Sequence, residues 1–329
     1  MCLKNILDVM KNLQSKERAA GSIQSGLNVV AYIDLLGMSN FTRKSTEDAI
    51  EVFDGYNTIL RDKIVNGMYS SNDDTIQRLL NRASATSFDY FLPFSDSIFL
   101  ASANPDGFVE QLGSFVLDCY VFNANAYRKK LNAKDPFASK MLCLGGGKKD
   151  CKRYPILFRG AVSCGSVHEG TLLGIAKGKS ISAPVLLGEP VVAAVKMEGK
   201  AKGPRLIIDE RSYRQLSHFT KRFIREVDLK EQQTGRYYEV LWPAYHFIEQ
   251  NGESELGKVE ELLTPAANLW KAFNHTEYGP HYFALIDLIV AGALAFANVI
   301  GLRNDAKAWI ERILDENGLS SKKEILLKV

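Results

Sequence analysis

Between residues 27 and 209, short apolar runs alternate with stretches whose apolar positions recur every three or four residues, the mark of a mixed α/β layer. The runs predict strands at 28–35, 88–94, 97–103, 156–163 and 205–209. Between them a helix is expected near 46–66, opened by the capping signal "STED" and carrying Ile50, Phe53, Tyr56 and Leu60 on one face. Further helices are expected over 106–131 and from Gly188 through "EPVVAAVKMEGKA", where Pro190 fits a first turn.

Two segments read as insertions into this layer. One is the polar "NGMYSSNDDTIQRLLNRASATS". The other, "DPFASKMLCLGGGKKDCKRYP", reads as a surface loop; its glycines lack the GxxxxGK[ST] spacing of a phosphate loop. Beyond residue 210, "RSYRQLSHFTKRFIREV" and "NDAKAWIERILDENG" read as charged amphipathic helices, and "RYYEVLWPAYHF" as a short strand-like piece. These patterns divide the chain into an N-terminal helix (1–24), a mixed domain (25–212) and a mainly helical C-terminal region (213–329) that reads as scaffold or dimerising surface.

Composition narrows the function classes. With 46% hydrophobic and 24% charged residues and a net charge of +3, the chain has neither the basic field of a nucleic-acid binder nor a polybasic membrane anchor. Five cysteines without CxxC spacing read as reduced thiols in a cytoplasmic protein. The apolar stretch 283–302 is long enough to cross a bilayer but carries Asp287 and Asn298, so a buried or dimer-forming helix is expected rather than a span.

Two carboxylates stand out. "VVAYIDLLGM" places Asp34 at the end of an apolar strand, and "FLPFSDSIFLAS" places Asp96 between two apolar runs. A carboxylate in such a setting needs a cation, donors or solvent. If the two strands are neighbours in one antiparallel sheet, the pair forms a site for divalent metal ions. Other candidates are weaker: His168 has no nucleophile at motif spacing and reads as a loop residue, and His275 and His281 lack zinc-site spacing.

In order, "AYIDLLGMSNF", "FSDSIFLA", "FRGAVSCGSV" and "GEPVVAAVKMEGKAKGPRLIID" resemble the four motifs of the class III nucleotidyl cyclases over residues 25–212. The resemblance implies an α+β fold: a ferredoxin-like βαββαβ antiparallel sheet flanked by helices, here with a C-terminal helical extension. It implies two divalent ions, Mn²⁺ or Mg²⁺, held by Asp34, Asp96 and the Leu35 carbonyl. It further implies a triphosphate received by the turn Leu36, Gly37 and Met38, and a homodimer whose second copy brings Lys196 to the site. The implied reaction is attack of a ribose 3′-hydroxyl on the α-phosphorus, with loss of pyrophosphate. Where the family carries a ribose-orienting asparagine this chain has Val192, and where it carries a transition-state arginine it has Lys196. Its adenine-reading positions hold Leu92 and Val185, which cannot hydrogen-bond a base through their side chains.

The chain is thereby most similar to the pyrimidine nucleotide cyclases of bacterial Pycsar anti-phage systems, which implies UTP or CTP as substrate and a separate effector that answers to the product. A purine cyclase and an inactive nucleotide-binding homologue are the alternatives. Tyr56, on the inward stripe of the first helix, is the candidate contact to a pyrimidine edge, with a plain core role as the alternative. Arg159 is the candidate contact to base or phosphate, with a strand-start ion pair as the alternative.

Overall fold

The structure, a computed structural model, describes residues 25–38, 45–60, 88–129, 131, 137–142, 148–177, 179–200, 202–229, 235–248 and 258–328. The expected N-terminal helix, the stretch 61–66 of the first core helix, the polar insertion and the three consecutive glycines lie outside these residues.

The strands are β1 (Ser25–Leu35), β2 (Tyr90–Phe94), β3 (Ser97–Ser102), β4 (Ala138–Leu142), β5 (Lys148–Lys152), β6 (Phe158–Ala176), β7 (Lys179–Leu187), β8 (Leu206–Asp209), β9 (Ile224–Val227) and β10 (Tyr237–Val240). Helix α1 (Thr46–Leu60) follows β1, α2 (Pro105–Ala124) follows β3, and α3 (Glu189–Glu198) follows β7. The remainder are α4 (Glu210–Gln215), α5 (His218–Lys221), α6 (Tyr245–Ile248), α7 (Val259–Phe273), α8 (Gly279–Val299), α9 (Arg303–Glu316) and α10 (Lys323–Leu326).

The main sheet runs β2-β3-β1-β6-β8-β10-β9, with β7 paired to the distal part of β6. Its first four strands, with α1 and α2 as connections, form the ferredoxin-like βαββαβ unit expected from the motifs. Every pairing is antiparallel except β6 with β8, where the chain crosses over through β7 and α3. The fold is therefore α+β, a mixed eight-stranded sheet flanked by helices.

One face of β1 buries Val29, Ala31 and Ile33 against α1 and α2, in the cluster that also takes in the C-terminal helices. The opposite face puts Val30 in a smaller cluster with Ala194 of α3. Burial on both faces explains why β1 reads as a continuous apolar run. Ser45 caps α1 as its sequence signal indicates, accepting the N–H of Asp48 at 3.1 Å.

The structure corrects several expectations. The buried stripe of α1 is Ala49, Val52, Tyr56 and Ile59, while Ile50 is exposed: the helix is rotated by about one position from the expected face. The supposed surface loop contains the antiparallel pair β4 and β5. "RSYRQLSHFTKRFIREV" is not one helix but α4, α5 and β9, because Asp209 and Ser217 each cap a new turn. Strand β6 runs on to Ala176, so His168 lies within a strand, paired with Leu187, rather than in a loop.

The C-terminal segments join the same body. Strands β9 and β10 extend the sheet, and the apolar helix α8, although long enough for a bilayer, is mostly buried in the core. Asp287 of α8 faces Arg205 of the β8 approach at 3.1 Å and also pairs with Arg225 of β9. The same two arginines pair with Glu239 of β10, closing a ring of four charges between sheet and helix.

Candidate active site

The antiparallel pairing of β1 with β3 sets Asp34 opposite Ser97. The tight β2–β3 turn, Ser95–Asp96, then carries the second carboxylate to the same edge, and the Leu35 N–H donates to the Asp96 carbonyl at 2.9 Å. Ser95 has φ 59°, a left-handed conformation in which a side chain is strained.

Asp34 accepts the Ser97 hydroxyl at 2.7 Å, and the Tyr32 hydroxyl lies 2.8 Å from the same Ser97 oxygen. Burial raises the pKa of Asp34, the Ser97 bond opposes that, the Asp96 charge adds to it and the Arg159 charge counters it. The carboxylate of Asp96, a half-buried residue, has no hydrogen-bond partner among the described residues. Arg159, opposite Asp34 on β6, gives its Nε–H to Glu198 of α3.

Beside Arg159, already paired with Glu198, the two carboxylates thus bring two negative charges to one site. This is the donor set a hard divalent ion takes. Among the described residues no group of three or more His, Cys, Asp and Glu gathers, so main-chain oxygens, phosphate and water would complete its shell.

Both aspartates open into a cavity of about 290 Å³ lined also by Leu35, Leu36, Gly37, Met38, Pro155, Leu157, Arg159, Tyr278, His281 and Tyr282. Gly37, at φ 86°, lets the chain turn away from β1 at the floor. The N–H of Leu36 donates to the Leu157 carbonyl at 2.8 Å, so this amide is not available to a phosphate, contrary to its expected role. Asp34, Leu35, Asp96, Gly37, Met38 and Arg159 are therefore brought together around one cavity. Arg159 makes the strand-start ion pair of its alternative reading, with Glu198, and also lines the cavity.

Two expected residues are elsewhere. Tyr56 is 2% exposed and lies in the core, its ring centroid 5.6 Å from that of Phe158, and it lines no part of the cavity. Its hydroxyl is buried without a partner, and burial, then Cys119 and Asp96, push its pKa well up. Lys196 is exposed on α3 beside the exposed apolar Val192 and Val195, also outside the cavity. His275 is exposed.

The residues that sequence reasoning missed are Ser97, which holds Asp34, and the group Tyr278, His281 and Tyr282, of which His281 was weighed only as a zinc ligand. That group stands at positions i, i+3 and i+4 where α8 begins. The "YGPHYF" helix start marks one shared face, but nothing local says that this face meets β1.

Three solved structures illustrate what the fold is similar to. The adenylyl cyclase CyaB from P. aeruginosa is 12% identical, with 67% of this chain and 95% of that chain covered at TM-score 0.39. The guanylate cyclase domain of RhGC from Catenaria anguillulae, in complex with GTP, is 17% identical over 66% of this chain and 97% of that chain at TM-score 0.38. The catalytic core of a rhodopsin-guanylyl cyclase with converted specificity, in complex with ATPalphaS, is 17% identical over 67% and 97% at TM-score 0.39. No family model matches the sequence, and no curated protein does. Likeness at TM-scores below 0.5 assigns neither substrate nor activity, which rest on this chain's own residues.

Proposed function

We propose that this protein is a nucleotidyl cyclase that converts UTP or CTP to the 3′,5′-cyclic nucleotide and pyrophosphate. The observation that carries the reading is the convergence of Asp34 and Asp96, from two motifs sixty residues apart, on one cavity with the Gly37 turn and Arg159. Divalent ions bound there would make the 3′-hydroxyl more acidic and offset the charge of the triphosphate. Asp34, Asp96 and the Leu35 carbonyl would hold them.

The chain's own side chains do the rest. Ser97 fixes the Asp34 carboxylate before any ligand arrives, so no reorganisation is needed on binding. Gly37 and Met38 form the floor against which the phosphate chain lies, and Arg159 supplies a cation at its wall. Pro155 and Leu157 exclude water from that wall. The hydroxyl oxygen bonds to the α-phosphorus as the bond to the pyrophosphate oxygen breaks.

Lys196 and the exposed Val192 and Val195 face away from the cavity of their own chain, which supports a head-to-tail homodimer in which α3 of a second copy completes the site. Lysine would then meet the developing phosphate charge as a point cation rather than a fork. A pyrimidine base is supported by Leu92 and Val185, which hold the positions the resemblance marks for reading adenine and have no side-chain hydrogen bond to offer; neither lines the cavity of its own chain. The cyclic product would act in the cytoplasm on a separate receptor, in the manner of anti-phage signalling.

The test is an assay of the full chain with ATP, GTP, CTP and UTP in turn, with Mn²⁺, read by mass spectrometry of the products. Cyclic UMP or cyclic CMP as the main product is expected. A cyclic purine as the main product would overturn the substrate assignment, and no cyclic product from any of the four would overturn the activity.

A further inference from the structure

The C-terminal region contributes a wall to the candidate active site. Where α8 begins, Tyr278, His281 and Tyr282 line the cavity that also holds Asp34, Asp96 and Arg159. The imidazole of His281 is fixed from one side: its Nδ1 accepts the backbone N–H of Gly203 at 3.0 Å. An accepting Nδ1 carries no proton, so the neutral ring carries its proton on Nε2, as a donor. Burial, then the charges of Arg159 and Lys202, hold the pKa of His281 below its ordinary value and favour this neutral form.

The tie is rigid. Gly203 has φ 90°, and a Cβ there would stand 2.4 Å from Cβ of Ala284, so the turn after α3 is pressed against the first turns of α8. Arg159, which also lines the cavity, uses only Nε toward Glu198, and its terminal N–H groups have no partner among the described residues. The cavity thus carries the carboxylates of Asp34 and Asp96 together with guanidinium and imidazole donors. A chain of phosphates held to the carboxylates through divalent ions would meet the donors with its remaining oxygens.

We propose that His281 is a phosphate-binding residue, whose Nε2–H donates to a non-bridging oxygen of the ligand's polyphosphate chain, so that the C-terminal helices add a phosphate contact to the site from the same chain. This rests on the nucleotide reading of the cavity and adds to it a residue outside the four cyclase-like motifs.

Two substitutions separate the donor from the tie. An asparagine carboxamide can accept from Gly203 in the place of Nδ1 but does not reach as far as Nε2. A glutamine reaches the outer position as a donor but gives up the tie. The probe is inorganic tripolyphosphate with Mg²⁺, titrated calorimetrically into the full-length wild type, His281→Asn and His281→Gln, with melting temperatures recorded alongside.

The expected pattern is crossed: His281→Asn melts like wild type but binds about tenfold more weakly, as loss of a hydrogen bond to a charged group predicts, whereas His281→Gln melts lower and binds within about threefold. Binding by His281→Asn equal to wild type would overturn the assignment, as would a wild type that does not bind the probe. If His281→Gln does not fold, the His281→Asn comparison decides alone. A wild type that binds tripolyphosphate, loses affinity on His281→Asn, yet cyclises no nucleotide would sink the proposed activity and leave His281 as a phosphate ligand.

Discussion

At the scale of single residues, the site is set by how two carboxylates are supported. Asp34 is held by Ser97, whereas Asp96 rides on a strained turn whose first residue, Ser95, takes the left-handed conformation. Tyr56 shows the opposite case, a polar group buried with nothing to bond. An unsatisfied buried hydroxyl costs about 1–3 kcal/mol. Tyr56→Phe is therefore expected to stabilise the protein by about 1 kcal/mol, seen as a higher denaturation midpoint, and to leave nucleotide choice unchanged. A shift in the product ratio on that substitution would return Tyr56 to the site. Apolar periodicity identified Tyr56 as an inward residue, but a helical face cannot tell core from cavity. The aspartates were legible because a charge in an apolar strand is costly enough to demand a reason.

At the scale of elements, the strands that bury both faces could be read directly from sequence, β1 above all. The long arm of β6 and β7 could not. Its outer part, "TLLGIA" against "KSISAP", has no buried face among the described residues to impose an alternating pattern, and Gly174 and Pro184 interrupt it. Leu172, Leu173, Ile175 and Ile181 are exposed there, with Ile175 at 81%, and a patch of this kind is out of place on a monomer. With α3 it would form the contact in the proposed homodimer. Ile175→Asp removes no core packing, so the chain should keep its fold while sedimentation velocity shows a monomer and cyclisation falls. A variant that stays dimeric would exclude the arm from the interface.

Across the whole molecule, the C-terminal third is not a detached scaffold. Two of its strands extend the sheet, and α8 both fills the core and reaches the cavity. The buried helix over 283–302 and the strand in "RYYEVLWPAYHF" were legible in the sequence, but their docking on the sheet and the cavity was not, because Arg205, Arg225, Glu239 and Asp287 meet across distant parts of the chain and no local pattern pairs them. Glu239, fully buried, pairs with both arginines. Glu239→Gln leaves them with Asp287 alone, and breaking a buried ion-pair ring in this way costs about 3–5 kcal/mol. Chemical denaturation is expected to show that loss, with weaker polyphosphate binding as α8 loosens. A loss below about 1 kcal/mol would mean that the ring contributes no more than a surface pair.

The central claim is that Asp34 and Asp96 form the metal-binding half of a cyclase site, and Asp96 tests it most cleanly because its carboxylate bonds to no described residue. Asp96→Asn should fold and melt as the wild type does. The decisive measurement is the rate of cyclic nucleotide formation by the two proteins with Mn²⁺. The account predicts turnover by the wild type and a loss of at least about a hundredfold in the variant; a variant that cyclises at the wild-type rate would contradict it.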